Sequence, residues 1–154
     1  MPSEIETGYV TSWDELKEAL DGIGADEAAA FRHPHWPKHD DWAGDDGSIS
    51  GIVFHVAAWK ETYAEGLETG AWGDEKAVKP DTDSWPGRLQ WLEAQHERLL
   101  AALRHLEQDE ATSVLISDRP YTLAAIYHDS MGHHDVYHAA QINYLRQRYA
   151  AERG

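Results

Sequence analysis

The chain contains no cysteine. That absence excludes disulfide bridges, thiolate metal ligands and a protein thiol nucleophile, and it removes cysteine usage as a guide to redox compartment. Basic side chains are also scarce: 13 Lys and Arg stand against 28 Asp and Glu, a formal net charge of −15 in 154 residues. Contact with a phosphate backbone needs cations that displace condensed counterions, so neither nucleic acid nor an anionic membrane is expected as a partner. No stretch approaches the roughly 20 apolar residues needed to span a bilayer, and no apolar signal-like core opens the chain. The expectation is a soluble, cytoplasmic protein whose residues 1–154 form one domain, large enough to bury roughly two-thirds of its unfolded surface. What the chain has in quantity is seven Trp and ten His, side chains common in functional pockets.

Four amphipathic helical patterns alternate with loops rich in Gly, Pro and Asp, and no internal repeat is evident. The first pattern opens at Thr11-Ser12-Trp13-Asp14-Glu15, where Ser12 and Glu15 read as a capping box. Its apolar stripe is Trp13, Leu16, Leu20 and Ile23, weakened by Gly22 and Gly24, and a short further turn is expected from Asp26 to Phe31. The prolines and glycines from His33 through Gly47 exclude a helix there. A second helix starts at Ser48 or Ser50, either a good N-cap, and runs to about Leu67 with Ile49, Ile52, Val53, Val56, Tyr63 and Leu67 buried. A loop over residues 69–83 follows. The third helix begins around Ser84-Trp85-Pro86 and carries Leu89, Leu92, His96, Leu99, Leu103 and Leu106 in unbroken 3-4 alternation. The fourth runs from about Thr122 to Tyr149, with Leu123, Ile126, Tyr127, Ser130, His134, His138, Gln141 and Leu145 on one face. Four such helices without convincing strand alternation predict an all-α four-helix bundle.

His55, His96, His134 and His138 all fall on or beside the core stripes. His134 and His138 lie four residues apart, so on a helix both imidazoles project from one face, a spacing at which they can grip one metal ion. Two hydrogen-bonded core histidines would fit that spacing equally well. Burying several neutral imidazoles with unpaired nitrogens costs free energy, and a divalent cation shared between facing helices removes that cost.

The segment Gly132-His133-His134-Asp135-Val136-Tyr137-His138-Ala139-Ala140-Gln141-Ile142, with Leu145-Arg146, resembles the last helix of the DinB-like (DinB/YfiT) family of metal-dependent helical-bundle proteins. Ser48-Ile49-Ser50-Gly51-Ile52-Val53-Phe54-His55-Val56-Ala57-Ala58-Trp59 resembles that family's second helix, and Leu92-Glu93-Ala94-Gln95-His96-Glu97-Arg98-Leu99-Leu100 is of the kind that links them. The resemblance spans about Asp41 to Arg148 and leaves the first 40 residues outside it; Ala140 stands where relatives often have Gly. It implies an up-down-down-up bundle, a homodimer, and a divalent metal held by His55, His134 and His138.

Such a site leaves coordination positions open, and its neutral ligands leave the metal's charge uncompensated, so a bound water or thiol is deprotonated near neutral pH. The resemblance implies activation of a low-molecular-weight thiol as cosubstrate, as in bacillithiol- or mycothiol-dependent S-transferases, acting on a small-molecule substrate. The alternatives are a metal-hydroxide hydrolase and a non-catalytic metal- or ligand-binding, stress-related bundle. Zinc, nickel, iron and manganese all accept imidazole, so the metal stays open. Gln141 shares the face of His134 and His138 and either orients a ligand or ties two helices as a buried amide. His96 either borders the pocket or bonds a partner helix. Trp59, Tyr127, Tyr63 and Trp85 either line the cavity or pack in the core. His133 lies about 100° from His134 and is expected to face solvent or an interface. His33, His35 and His39 are expected to pack in their loop, and the acidic run Asp40, Asp41, Asp45 and Asp46 to be solvated.

Overall fold

The structure is a computed structural model in which residues 4–37, 44–74, 77–106 and 112–154 are described, residues 4–10 by their backbone alone. Four long helices dominate: α1 (Glu4–Leu20), α3 (Ile49–Thr69), α4 (Trp85–Leu106) and α6 (His133–Arg153). A short α2 (Ala25–Ala29) follows α1, and a hairpin of β1 (Ser113–Ile116) and β2 (Arg119–Thr122) precedes α5 (Leu123–Tyr127), which runs through a π turn (His128–Gly132) into α6.

Side-chain pairings fix the directions. Arg88 reaches Ser50, Trp91 reaches Glu61 and Arg98 reaches Glu68, so residue numbers rise together along α3 and α4 and these two helices are parallel. Lys17 bonds Glu93 and Trp85 bonds the carbonyl of Ile23, which makes α1 and α4 antiparallel. His55 meets His138 while Lys60 meets Asp135, which makes α3 and α6 antiparallel. The bundle is therefore up-down-down-up, with α4 starting beside the N-terminal end of α3 and running parallel to it.

Several element boundaries differ from the sequence expectation. Helix α1 begins well before Thr11, so Ser12 and Glu15 lie inside it and form no start signal. The second helix begins as expected: the Ser48 hydroxyl accepts the Gly51 N–H at 3.0 Å, and left-handed Gly70 (φ 77°) ends it. The expected absence of strands is overturned by the hairpin, whose strands are only four residues each and pair in register from Ser113↔Thr122 to Ile116↔Arg119. Such short strands show too little alternation to read, and Pro120 lowers strand propensity further. The turn places Ser117 (φ 51°) and Asp118 (φ 64°) in the left-handed region, matching the twist of a two-residue hairpin. Trp72 N–H donates to the Ser117 hydroxyl, which ties the crossover to this hairpin.

The core divides into two apolar clusters. One, centred on Leu16, Ile49, Ile52, Val56, Leu92 and Ile142, lies at the end where α2 packs; the other holds Ala64, Leu99, Leu103, Ile116, Ile126 and Tyr127. A polar layer separates them. Along each helix Lys60, His96 and Asp135 fall between members of the two clusters, and all three are buried. Lys60 Nζ donates to Asp135 Oδ2 at 2.9 Å and to the Ser130 carbonyl at 3.2 Å, and lies 5.3 Å from the Trp13 ring centroid. Burial disfavours both charges, lowering the Lys60 pKa and raising that of Asp135 to about 6, against their mutual attraction.

His96 completes this layer by stacking on Trp13, with ring centroids 3.6 Å apart and planes within 5°. Burial, with Lys60 nearby, pushes its pKa down to about 2. It thus stays neutral in the folded chain, while in the unfolded chain it binds a proton below its ordinary value of 6.5. Excess protons on the unfolded state mean that stability falls as pH drops below about 6.5. Between pH 7 and pH 5 this one residue is expected to contribute about 2 kcal/mol of lost stability. Urea unfolding of metal-free protein at the two pH values, wild type against His96→Leu, checks it: the pH-dependent difference shrinks by that amount in the variant, and an unchanged difference refutes it.

Candidate metal centre

The turn before α3 builds one side of the site. Asp46 Oδ1 accepts from the Ser48 N–H at 3.0 Å and from its hydroxyl at 2.6 Å, and Arg88 holds the adjoining chain through the carbonyls of Gly44 and Ser50. Gly47 has φ +77°, and a Cβ there would come within 2.5 Å of the Trp36 ring. The turn therefore needs glycine twice over, for its backbone and to let the Trp36 side chain approach it closely. This arrangement brings Asp45 and Trp36 to His55, two turns into α3.

The other side is the start of α6. His134 and His138, one turn apart, face His55 across the α3–α6 contact. Nε2 of His134 lies 3.1 Å from Nε2 of His55 and 3.1 Å from Nε2 of His138. The three side chains form a group whose ligand atoms all lie within 4.8 Å of one another. With metal–nitrogen bonds of about 2.0–2.1 Å, neighbouring ligand nitrogens stand about 2.9 Å apart at a right angle and about 3.3 Å at a tetrahedral one, so these spacings suit a single cation.

Hydrogen bonds behind the rings set the tautomers. Asp45 Oδ2 lies 3.1 Å from Nδ1 of His55, and Gln141 Oε1 lies 2.6 Å from Nδ1 of His138. A carboxylate and an amide oxygen can only accept, so both Nδ1 atoms carry the proton and both Nε2 lone pairs face inward. His134 Nδ1 is buried and has no hydrogen-bond partner among the described residues. A proton on His134 Nε2 would serve one inward lone pair well and strand the other. A proton on Nδ1 leaves three lone pairs converging. A cation satisfies all three, which is the chemical fit of this donor set to a metal. Burial, together with the neighbouring imidazoles, holds His134 well below its usual pKa and pushes His138 down to about 3, which keeps both neutral as ligands must be.

The three imidazoles line a pocket of about 370 Å³. Trp36, Trp59, Tyr137 and Pro37 wall it, with His35 and His133 also in the lining. Trp59 stacks on His134, centroids 4.9 Å apart, while its Nε1 donates to the Asp129 carbonyl at 3.3 Å. Trp36 stands edge-on to His55 at 5.4 Å. No Asp or Glu, and no Lys or Arg, lines the pocket among the described residues.

Of the residues singled out in the sequence, the structure thus brings together His55, His134, His138, Gln141 and Trp59. It places Tyr127 apart from them, fully buried in the second core cluster, and His96 in the polar layer against Trp13. Tyr63 packs edge-on to Trp72, and Trp85 bonds the Ile23 carbonyl, so neither belongs to the pocket. His35 and exposed His133 border it, His33 lies against Tyr144, and His39 lies outside the described residues. The solvated reading of the acidic run is corrected at Asp45, which is only 3% exposed and holds His55; Asp46 keeps a side chain 42% exposed while its Oδ1 accepts from Ser48. Asp40 and Asp41 lie outside the described residues. Asp45, Trp36 and the Lys60–Asp135 pair were not anticipated. Lys60 did carry a signal, being the one basic residue amid the apolar face of α3.

Among the described residues, no helix is long and apolar enough to cross a membrane. A family model, that of the DinB superfamily, matches residues 9–142 of the chain. No curated protein and no solved structure matches it.

Proposed function

The chain belongs to the DinB superfamily, and from that membership and the site's geometry we propose that it is a metal-dependent enzyme that activates a low-molecular-weight thiol for transfer to a small electrophile. The observation that carries the reading is the convergence of three imidazole nitrogens in the lining of a pocket of about 370 Å³. A divalent cation held by three neutral nitrogens keeps its charge uncompensated and lowers the pKa of a thiol at its open positions.

The chain's own residues have distinct tasks. His55, His134 and His138 hold the cation. Asp45 and Gln141 fix the rings of His55 and His138 by their far nitrogens, which orients the nitrogens that face the site. Trp36, Trp59 and Tyr137 exclude bulk water from the reacting atoms, which strengthens electrostatic interactions there. The absence of cysteine is consistent with a nucleophilic sulfur that arrives with the cosubstrate. A thiol also suits a pocket without a lining carboxylate among the described residues, because activating a water for hydrolysis draws on a general base that the thiolate does not need. In the transfer, the thiol proton leaves to solvent, the sulfur lone pair forms a C–S bond, and the carbon–halogen bond or the epoxide C–O bond breaks with its electron pair on the departing atom.

Elemental analysis of the purified protein, followed by a conjugation screen of thiols against halogenated and epoxide electrophiles, tests this. Stoichiometric first-row metal and thiol consumption that stops on chelation and resumes on metal return are expected. Bound metal with no thiol consumption would sink the enzymatic reading.

A further inference from the structure

The pocket above the imidazoles also constrains what enters it, and we infer that its ligand has a flat, uncharged aromatic body carrying one metal-seeking head. The inference rests on the metal reading above. A volume of about 370 Å³ accommodates a single ring with a short arm and is too small for an extended cosubstrate to be enclosed whole. The three largest wall residues, Trp36, Trp59 and Tyr137, all offer ring faces or edges.

Two of the polar groups at the pocket are already engaged. Trp59 Nε1 donates to the Asp129 carbonyl at 3.3 Å, whereas Trp36 Nε1 is buried with no hydrogen-bond partner among the described residues. Gln141 Oε1 takes the Nδ1 proton of His138 at 2.6 Å. The wall thus offers a ligand mainly ring faces and edges, while three imidazoles converge at the metal site. An anionic tail would meet no lysine or arginine among the described lining residues and would have to enter a chain of net charge −15. Aromatic faces reward a planar body through offset and edge-on contacts, which an aliphatic chain of equal length does not make. Tyr137 is suited to this role, being 54% exposed and edge-on to His138 at 5.2 Å, a half-free ring at the mouth of the pocket.

Three hydroxamates share one metal-binding head and separate the alternatives without recourse to thiol chemistry: benzohydroxamate, acetohydroxamate and succinic monohydroxamate. Zinc uptake by the apo-protein is measured first, and each probe is then titrated into the zinc-loaded protein while tryptophan fluorescence is followed. Benzohydroxamate is expected to bind at least about tenfold more tightly than either comparator. In Tyr137→Ala and in Trp59→Leu, each first checked for zinc uptake, the ratio of benzohydroxamate to acetohydroxamate affinity is expected to fall below about threefold. Equal affinities, or preference for the carboxylated probe, with zinc bound would overturn the inference and leave the metal centre standing. Failure to take up zinc would overturn the metal centre and the inference together.

Discussion

Lys60→Met is expected to lose about 3–5 kcal/mol of folding stability, the cost of leaving a buried carboxylate without its partner. A domain of this size has about 5–15 kcal/mol in all, so the variant sits close to the threshold of folding. The loss arises because Asp135 has no solvent exposure and Lys60 is its cation at 2.9 Å. Two further results follow from the same geometry. Asp135, whose pKa already stands near 6, can escape the penalty by taking a proton. Its folded pKa lies above its unfolded one, so the stability this provides is present at low pH and lost as pH rises through the folded value. The deficit of Lys60→Met relative to wild type should therefore be larger at pH 8 than at pH 5. The double variant Lys60→Met, Asp135→Leu should recover most of the loss, leaving about 1 kcal/mol for the lost Lys60–Ser130 carbonyl hydrogen bond. Denaturant unfolding of the four proteins at two pH values gives the interaction energy directly. A single-variant loss below 1 kcal/mol, or additive effects in the double, would show that the pair does not act as a unit.

The second large effect concerns metal affinity. His55→Ala and His134→Ala each remove one of three ligands and should lower zinc affinity beyond the tenfold to hundredfold typical of an outer partner, whereas Asp45→Asn should fall within about that range because it only loosens His55. Isothermal titration on apo-protein measures all three. The same ordering should appear in thermal unfolding, since a ligand that binds only the folded chain stabilises it by RT ln(1 + [L]/Kd), about 2.7 kcal/mol at a hundredfold excess over Kd. Wild-type melting temperature should rise with zinc concentration and that of His134→Ala should not. Equal zinc responses in wild type and both histidine variants would mean that the imidazoles are not the ligands.

Much of this was readable in the sequence because it is written in periodicity. The 3-4 alternation from Leu89 to Leu106 and the Ser48 cap place α4 and the start of α3 where the structure has them. His134 and His138 share a face for the same reason. Other features obey local geometry that periodicity does not encode. The π turn at His128–Gly132 interrupts what reads as one helix, and Asp135, a charged residue just after it, shares the buried face with His138 and Ile142. Lys60 appears as a flaw in an apolar stripe until its partner on α6 is known. Asp45 sits in a run of aspartates that composition assigns to solvent, and only the cap at Ser48 and the turn at Gly47 direct it to His55. The start of α1 was misplaced because Ser12 and Glu15 imitate a cap inside a helix that continues past them in both directions.

The parallel placement of α3 and α4 has a consequence for a chain without cysteine. His55 and His134 meet although they are 79 residues apart in sequence. A cation bound by both closes a loop of that length much as a disulfide would, and in the chain-entropy account such a closure is worth about 4.5 kcal/mol against the unfolded ensemble. This cross-link is reversible, forms only after the last helix has docked, and depends on the supply of metal instead of the redox state of the surroundings.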